Sequence, residues 1–261
     1  MSRASPRTET MSILRTPHSA LESVTVVGPG RLGRSIARAL RAAGVVVHGP
    51  VGRGEEIPDA PVVLLCVPDG EIAAAARAAT AAGRMIGHTS GAVPIHDVDF
   101  GLHPLQTFTG DDDPAVFRGV ACAIAGRSDE ALETATGIAL LLGARAFPLD
   151  EAHRAAYHAA ASVAANFLVT IADAAERIAE TAGIPAKEAR LLLAPLVRRT
   201  VENWASGGPA TALTGPIARG DEETVERQRA AISAGRPELV PLFDELCEAT
   251  RALARRKEHA T

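Results

Sequence analysis

The chain has 261 residues, of which 47% are hydrophobic and only 3% aromatic, and its formal net charge is −4. This length predicts one large or two ordinary domains, with enough apolar residues to bury a substantial core. Arginines are interspersed with acids, and a single Trp and a single Tyr offer no stacking platform, so the composition argues against a nucleic-acid partner.

The chain carries no pattern typical of export, membrane insertion or metal binding. Residues 1–20 are polar, include two prolines and lack a signal-peptide core, so we expect a disordered extension. The later apolar segments are interrupted by charge, and we expect no membrane span. Cys66, Cys122 and Cys247 are too widely spaced for a disulfide framework, and no His, Cys and carboxylate spacing indicates zinc. These features predict a cytoplasmic protein without metal.

The organising motif lies between Ser23 and Leu40, where a β-branched run leads into Gly-x-Gly-x-x-Gly and then into a helical apolar pattern. In a dinucleotide site the first glycine permits the turn, the second lets the backbone approach a pyrophosphate, and the third lets the helix pack on the strand. A glycine-rich turn without ligand is the alternative. The residues predicted to cradle the pyrophosphate are Gly28, Gly30, Arg31, Leu32 and Gly33.

The residues after the second strand bear on the choice of cofactor. That strand is predicted to run from Val45 to about Val51, and no acid occupies its end. An NAD site usually has Asp or Glu there, whereas an arginine suits the 2′-phosphate of NADP. Arg53 therefore favours NADP, with NAD left open because Glu55 could turn back toward a ribose.

Strand and helix patterns alternate as far as residue 149 and predict an N-terminal doubly wound, Rossmann-type α/β domain with a mostly parallel sheet. Further strands are expected near residues 60–69, 84–88, 100–103 and 120–125, with helices over 71–82 and after Ser128. Ligands of such sheets bind at the carboxyl ends of the strands. We expect Pro68 and Ser90, at two of those ends, to flank the ribose and nicotinamide.

From about Asp150 the strand signals stop, and residues 150–261 are predicted to form an all-α domain. The predicted domains are thus 1–20, 21–149 and 150–261. The first helix, Glu151 to Thr181, would be about 45 Å long. The helices predicted at 185–205, 221–234 and 237–257 are too few to cover it within one subunit. Its small side chains allow close helix approach, so we expect a homodimer through the C-terminal helices.

Four polar residues recur along the long helix at intervals of four, and they are Arg154, His158, Ser162 and Asn166. Residues at this spacing drift slowly around one side of a helix. Such a polar stripe could line a substrate cleft, with Arg154, His158 and Asn166 facing the substrate. The alternative is a solvated face with a core histidine.

Two further residues are candidates for substrate chemistry. His103 follows a strand, next to Pro104, and could donate a proton to a carbonyl as hydride arrives, although it could equally cap a turn. Arg219 lies between a Gly-Pro turn and Gly220, where its guanidinium could bind a substrate carboxylate. It could instead pair with Asp221.

Six motifs together resemble the family of Rossmann-like proteins with a C-terminal domain of unknown function, DUF2520. The motifs are Gly28-x-Gly30-Arg-Leu-Gly33, Cys66-Val-Pro-Asp69, His88-Thr-Ser-Gly-Ala92, His103-Pro-Leu-Gln-Thr-Phe108, Tyr157-His158-x-Ala-Ala161 with Asn166, and Leu213-Thr-Gly-Pro-Ile-x-Arg219-Gly-Asp221. The resemblance extends over about residues 22 to 255. That family is similar in architecture to pyrroline-5-carboxylate reductases, 3-hydroxyisobutyrate dehydrogenases and ketopantoate reductases, which implies an NAD(P)-binding domain and a dimer-forming helical domain.

The resemblance implies an NADPH-dependent reductase of a small 2-oxo acid, with 2-dehydropantoate as the first substrate to test. The chain lacks the helix Lys and Asn pair of the β-hydroxyacid dehydrogenases, since its only lysines are Lys187 and Lys257. Arg154 could orient a substrate but is a poor proton donor, which leaves His158, His103 or water. A non-catalytic nucleotide-binding dimer and an imine reductase of the pyrroline-5-carboxylate type remain the alternatives.

Overall fold

The computed structural model describes residues 21–81 and 83–258, and the predicted N-terminal extension lies outside them. These residues fall into two compact units, the first ending at Ala165 and the second beginning at Asn166. The first unit contains a seven-stranded sheet, and the second is built from helices.

The sheet has the order β2-β1-β3-β4-β5-β6-β7, in which every neighbouring pair is parallel except β5 and β6. The predicted doubly wound, mostly parallel sheet is therefore confirmed. The strands are β1 Ser23–Val27, β2 Val46–Val51, β3 Val62–Leu65, β4 Met85–His88, β5 Phe100–Pro104, β6 Ala121–Gly126 and β7 Arg145–Pro148. The sequence reading missed β7, a four-residue edge strand without a fully buried side chain, and it did not foresee the reversal at β6.

Three helices cover the two faces of the sheet: α1 Arg31–Ala42, α2 Ile72–Ala79 and α3 Asp129–Leu141. Alternate residues of β3 divide between the faces, because successive side chains of a strand point in opposite directions. Leu64 packs in the cluster that contains residues of α1 and α3, whereas Val63 and Leu65 pack in the cluster that contains residues of α2. Burial on both faces explains why β3 reads as a continuous apolar run.

The ends of these helices follow local sequence signals. Ser128 caps α3, since its Oγ accepts a hydrogen bond from the Ala131 N–H at 3.2 Å, as expected for a serine before an acidic first turn. Helix α2 ends at Ala79, three residues before the predicted end, because Thr80 takes an extended backbone conformation.

The helical half has more interruptions than the sequence predicts. A short 3₁₀ turn, Glu151–His153, precedes α4 Arg154–Ser162. A π-helical turn, Val163–Phe167, follows and leads directly into the next helix, so the predicted helix from Glu151 to Thr181 is continuous but is not α-helical throughout. The remaining helices are α5 Leu168–Thr181, α6 Ala186–Ala212, α7 Glu222–Gly235 and α8 Val240–Glu258. Helix α6 breaks at Gly208, whose φ of 70° and ψ of 175° are non-helical, within the predicted Gly-Pro stretch.

The stretch Glu151–Thr181 has the length and hydropathy of a helix that could cross a membrane. The sequence analysis, by contrast, predicts no membrane span here. Large apolar side chains of the second unit are also solvent-exposed in the single chain, including Val169 at 69% and Leu191 at 71%. The helices of the second unit therefore expose apolar surface in the single chain.

Candidate functional site

The carboxyl ends of β1, β3, β4 and β5 lie on one edge of the sheet, since these strands are mutually parallel. β2 lies on one side of β1 and β3 on the other, so the strand order changes direction at β1. Doubly wound sheets bind ligands outside the carboxyl ends of the strands at such a point. The glycine turn follows β1 at this position, while His103 lies near the end of β5.

Two glycines of the turn are required by contacts inside the protein. Gly28 has a φ of 107°, and a Cβ placed on it would lie 2.3 Å from the carbonyl oxygen of Cys66. A Cβ on Gly33 would lie 2.0 Å from the carbonyl oxygen of Gly28. Both positions therefore exclude a side chain, and both keep α1 close to the strands it packs against.

No contact within the described part of the chain and no backbone angle requires a glycine at position 30. Its φ of −65° and ψ of 178° suit any residue, and a Cβ placed there meets no atom within 4 Å. It is the N-cap residue of α1, no side chain caps that helix end, and its first turn holds no acid. The N–H groups of such a helix end attract anions. A pyrophosphate that approaches the backbone would account for this glycine and for the uncapped helix end.

The other two residues of the predicted cradle differ in surroundings. Arg31 is exposed, and its carbonyl accepts a 2.9 Å hydrogen bond from the Ser35 hydroxyl. Leu32 packs partly against the apolar core that contains α1. Only Arg31 thus leaves its side chain free to meet a ligand.

The turn after β2 presents one basic side chain. Arg53 is 82% exposed and forms an ion pair with Glu71. The Glu55 carboxylate turns back, but it accepts a 2.7 Å hydrogen bond from the Gly52 N–H and so closes the turn. Arg53 and Glu55 are thus both exposed, and each has one partner within the protein.

Pro68 and Ser90 lie where the sequence predicts, after β3 and β4. Pro68 is exposed and precedes a 3₁₀ turn, Asp69–Glu71. The Ser90 Oγ accepts hydrogen bonds from the N–H groups of Ala92 at 3.1 Å and Val93 at 3.0 Å. Ser90 therefore shapes the turn that carries Gly91, in addition to any contact with a cofactor.

The buried side chain of Arg154 is hydrogen-bonded to the turn that contains Ser90 and Gly91. It is only 3% exposed, and its guanidinium donates to the Ser90 carbonyl at 3.2 Å and to Glu151 through Nε at 2.9 Å. The other Glu151 oxygen accepts from the Ile95 N–H at 3.0 Å. Burial opposes ionisation of Glu151, but these hydrogen bonds outweigh it and lower its pKa. The predicted substrate-facing arginine is thus occupied within the protein.

His88 is fully buried near this arginine. Its Nδ1 accepts a hydrogen bond from the Ser90 N–H at 3.2 Å, while its Nε2 finds no partner among the described residues. Burial and the charge of Arg154 lower the pKa of His88, so the imidazole is neutral at pH 7.

His103, Tyr157 and His158 form an aromatic cluster, which we call the histidine cluster. The His103 Nδ1 lies 2.8 Å from the Tyr157 hydroxyl, and the ring centroids of His103 and His158 are 6.2 Å apart. A Cβ placed on Gly91 would lie 2.9 Å from His103 Nε2 and 2.9 Å from His158 Cδ2. Both rings therefore pack directly against Gly91, and a side chain at this position would displace them.

The remaining predicted residues, Asn166 and Arg219, belong to the second unit. Asn166 is exposed within the π-helical turn. Arg219 is exposed and forms no ion pair among residues 21–81 and 83–258. Asp221 caps α7 by accepting from the Thr224 N–H at 3.1 Å, as its position predicts.

A family model described as a domain of unknown function, DUF2520, matches residues 120–250, just over half of the chain. The chain belongs to this family. The resemblance inferred from the six motifs is therefore confirmed. No curated protein matches the chain.

Solved structures similar to this DUF2520 protein share its fold. A candidate NADP oxidoreductase from Bacteroides fragilis is 20% identical with a TM-score of 0.74, over 88% of this chain and 98% of its own. A protein from Thermotoga maritima is 24% identical with a TM-score of 0.73, over 90% and 99%. A reductive aminase from Aspergillus terreus, in complex with NADPH and ethyl levulinate, is 16% identical with a TM-score of 0.61, over 93% and 100%.

The DUF2520 match includes Tyr157 and His158, but the glycine turn and His103 lie outside it. The first unit brings His103 and His158 together, as both were predicted for the site. The sequence analysis includes Tyr157 in a motif but predicts no role for its side chain. It is the only tyrosine of the chain and directly precedes a candidate histidine, which was the available signal for its importance.

Proposed function

We propose that this DUF2520 protein is an NADPH-dependent reductase of a small 2-oxo acid. The observation that carries the proposal is that an open glycine turn and the histidine cluster share one sheet edge. The strands β1 and β5 are three places apart, or about 14 Å at the usual strand spacing. An extended ligand with its pyrophosphate at Gly30 could therefore place its far end near His103.

The chain's residues fit such a dinucleotide. The free N–H groups at the start of α1 suit a pyrophosphate, since Gly30 leaves room for close backbone approach. Arg53 suits a 2′-phosphate, and Pro68 and Ser90 lie beyond the neighbouring strands. NADPH, when bound, would supply hydride. The fold is also that of neighbours described as NADP oxidoreductases or crystallised with NADPH.

The histidine cluster would act on the group being reduced. Hydride addition to a carbonyl carbon leaves negative charge on oxygen, which a nearby N–H can stabilise. His103 and His158 are half-buried against Gly91 and can serve this purpose. Arg154 would support the cluster from within the protein, while Asn166 and Arg219 remain candidate substrate ligands. The 2-oxo acid to test first is 2-dehydropantoate.

Imine reduction is the second candidate. The neighbours include a reductive aminase and an imine reductase from Streptomyces aurantiacus, the latter with a TM-score of 0.56 at 15% identity. An N–H donor in the histidine cluster could contact an imine nitrogen as well as a carbonyl oxygen. Parallel assays with 2-dehydropantoate and with cyclic imines would separate the two reactions.

Replacement of Arg53 tests the cofactor assignment. We expect Arg53→Ala to weaken NADPH binding by at least about tenfold while NADH binding changes little, because one charge-assisted contact to phosphate contributes about 1.5–3 kcal/mol. Fluorescence titration of the purified protein with both cofactors measures this difference.

The matched control is Glu71→Gln, which removes the ion-pair partner of Arg53. This variant should bind NADPH as well as the wild type or more tightly. Equal losses for NADPH and NADH in Arg53→Ala would contradict the phosphate role. Selective NADPH binding without turnover on any oxo acid or imine would favour the non-catalytic alternative.

The second unit supports a further part of the proposal, a cytoplasmic homodimer formed through the C-terminal helices. Apolar side chains that would normally be buried are exposed at the end of the π-helical turn and on α5 and α6, and we call this set the apolar helix face. Its members are Phe167, Leu168, Val169, Ile171, Leu191, Leu192, Leu196, Val201 and Trp204. A second copy of the chain would cover this face.

Substitution in the apolar helix face should abolish dimer formation. We expect light scattering to give a dimer mass for the wild type and a monomer mass for Leu196→Arg, since Leu196 is 63% exposed in the single chain. Leu105→Arg, which changes an exposed leucine of the first unit, is the control and should stay dimeric. A monomeric wild type, or one that partitions into lipid vesicles, would refute the dimer.

A further inference from the structure

Within the histidine cluster, the Tyr157 hydroxyl directly contacts the imidazole ring of His103. The hydroxyl oxygen lies 2.8 Å from His103 Nδ1, and the two rings are perpendicular with centroids 5.5 Å apart. Phe147 on β7 also packs against the phenol ring, edge to face, with centroids 5.9 Å apart. The tyrosine is thus fixed against His103 by packing as well as by the hydrogen bond.

The hydrogen atom in this bond can belong to either residue, and the surroundings decide between them. If His103 donated from Nδ1, the phenolic hydrogen would need another acceptor, and no other hydrogen bond of the Tyr157 hydroxyl is found within the described ranges. If Tyr157 donates, its single hydrogen is satisfied. A phenol hydroxyl is a stronger hydrogen-bond donor than a neutral imidazole N–H, and an unprotonated imidazole nitrogen is a stronger acceptor than a phenol oxygen, so the second arrangement is favoured.

A neutral imidazole that accepts at Nδ1 carries its hydrogen on Nε2. That nitrogen has no hydrogen-bond partner among residues 21–81 and 83–258, and it is not among the fully enclosed orphan atoms. It lies next to Gly91, close to His158. The Nε2–H is therefore available to an incoming ligand.

We infer that Tyr157 holds His103 in the tautomer with hydrogen on Nε2, so that a neutral imidazole presents an N–H to the reacting oxygen of the substrate. Tyr157 is then a positioning residue, because it acts through His103. The substrate part of this inference rests on the proposed reductase function, but the tautomer itself does not.

The charges around His103 agree with this role. His158 and Arg154 on α4 and His88 on β4 disfavour a positive charge on His103, and Asp69 opposes them only in part. Burial is the largest influence, and together these groups lower the pKa of His103 to about 4. Burial raises the pKa of Tyr157 to about 12, so the phenol keeps its hydrogen. At pH 7.5 both groups are neutral.

A neutral His103 that keeps its proton implies a different proton source from the one predicted from the sequence, in which His103 donates the proton. In the proposed reaction, NADPH would supply the hydride for the new C–H bond, and negative charge would develop on the carbonyl oxygen. The His103 Nε2–H stabilises that oxygen by a hydrogen bond without giving up its proton. Water then supplies the proton that completes the alcohol. A neutral donor of this kind avoids the cost of charging a buried imidazole.

Nuclear magnetic resonance of the full chain labelled with ¹⁵N-histidine tests the tautomer directly, because protonated and unprotonated ring nitrogens differ in chemical shift. The His103 signals are assigned by their loss in His103→Gln. At pH 7.5 we expect hydrogen on Nε2 in the wild type. Tyr157→Phe, which retains the ring but lacks the hydroxyl, should give a mixture of both tautomers.

Phe147→Leu is the matched control, since it alters the packing of Tyr157 but keeps the hydroxyl, and its His103 tautomer should match the wild type. A wild-type His103 with hydrogen on Nδ1, or a Tyr157→Phe spectrum identical to that of the wild type, would overturn the inference. The spectra require neither cofactor nor substrate. Absence of NADPH binding would therefore defeat the proposed function while leaving the tautomer result intact.

Discussion

Gly33→Ala should destabilise the protein by about 3 kcal/mol or more, the largest effect expected from any single methyl group in the glycine turn. The new Cβ would lie 2.0 Å from the Gly28 carbonyl oxygen and 3.2 Å from the Cys66 Cβ. Backbone atoms cannot move aside as a flexible side chain can, so α1 would have to shift away from β1. Urea unfolding followed by circular dichroism measures the loss.

Gly30→Ala is the matched control, because it adds the same methyl group three residues earlier. Its Cβ meets no atom within 4 Å, so the free energy of unfolding should change by less than about 1 kcal/mol. Its NADPH affinity should nevertheless fall, since the methyl group would occupy the path of the pyrophosphate. Similar stability losses in the two variants would show that the turn is packed differently from this description.

Arg154→Met should destabilise the protein by about 2–3 kcal/mol, because it leaves the Glu151 carboxylate partly buried without its cation. Arg154 is 3% exposed, whereas the Glu151 side chain keeps a third of its surface in water, which moderates the loss. The Ser90 carbonyl also loses its donor. The difference in unfolding free energy at pH 7 is the measurement.

The double variant Glu151→Gln with Arg154→Met supplies the control. It removes the isolated charge, while a glutamine oxygen can still accept from the Ile95 N–H, so it should be more stable than Arg154→Met alone. The pKa of Glu151 is lowered in the wild type, so its contribution exists above about pH 4.5 and is lost on acidification. The gap between wild type and Arg154→Met should therefore narrow toward pH 4. A constant gap would exclude the ion pair as its source.

Apolar patterns in the sequence were sufficient to predict six of the seven strands of the sheet. The β-branched run before Gly28 and the apolar run of β3 could be placed because burial on both faces selects such residues. Strand β7 could not be placed, since its pairing with β6 depends on tertiary contact and its short sequence lacks a distinctive pattern. The π-helical turn at Val163–Phe167 likewise leaves no mark in the apolar spacing.

The candidate site was only partly predictable for a related reason. Residues at strand ends, such as Gly30 and His103, could be assigned because parallel strands bring their carboxyl ends to one edge. The partner of Arg154 could not be assigned, since a helical stripe does not reveal which side chain folds back onto Glu151. Tyr157 was missed because its role depends on one contact with a residue 54 positions earlier in the chain.

The reversal of strand direction at β6 has a consequence for how the protein can vary. Because β5 ends and β6 begins on the same edge of the sheet, the loop of residues 105–120 starts and finishes on the edge that carries the glycine turn. Asp112 in this loop accepts a hydrogen bond from Ser35 of α1 at 2.7 Å. Insertions in this loop would remodel the rim of the site, whereas insertions between β6 and α3 would fall on the opposite edge. Changes of substrate within the family are therefore expected to be accompanied by changes in the length of this loop.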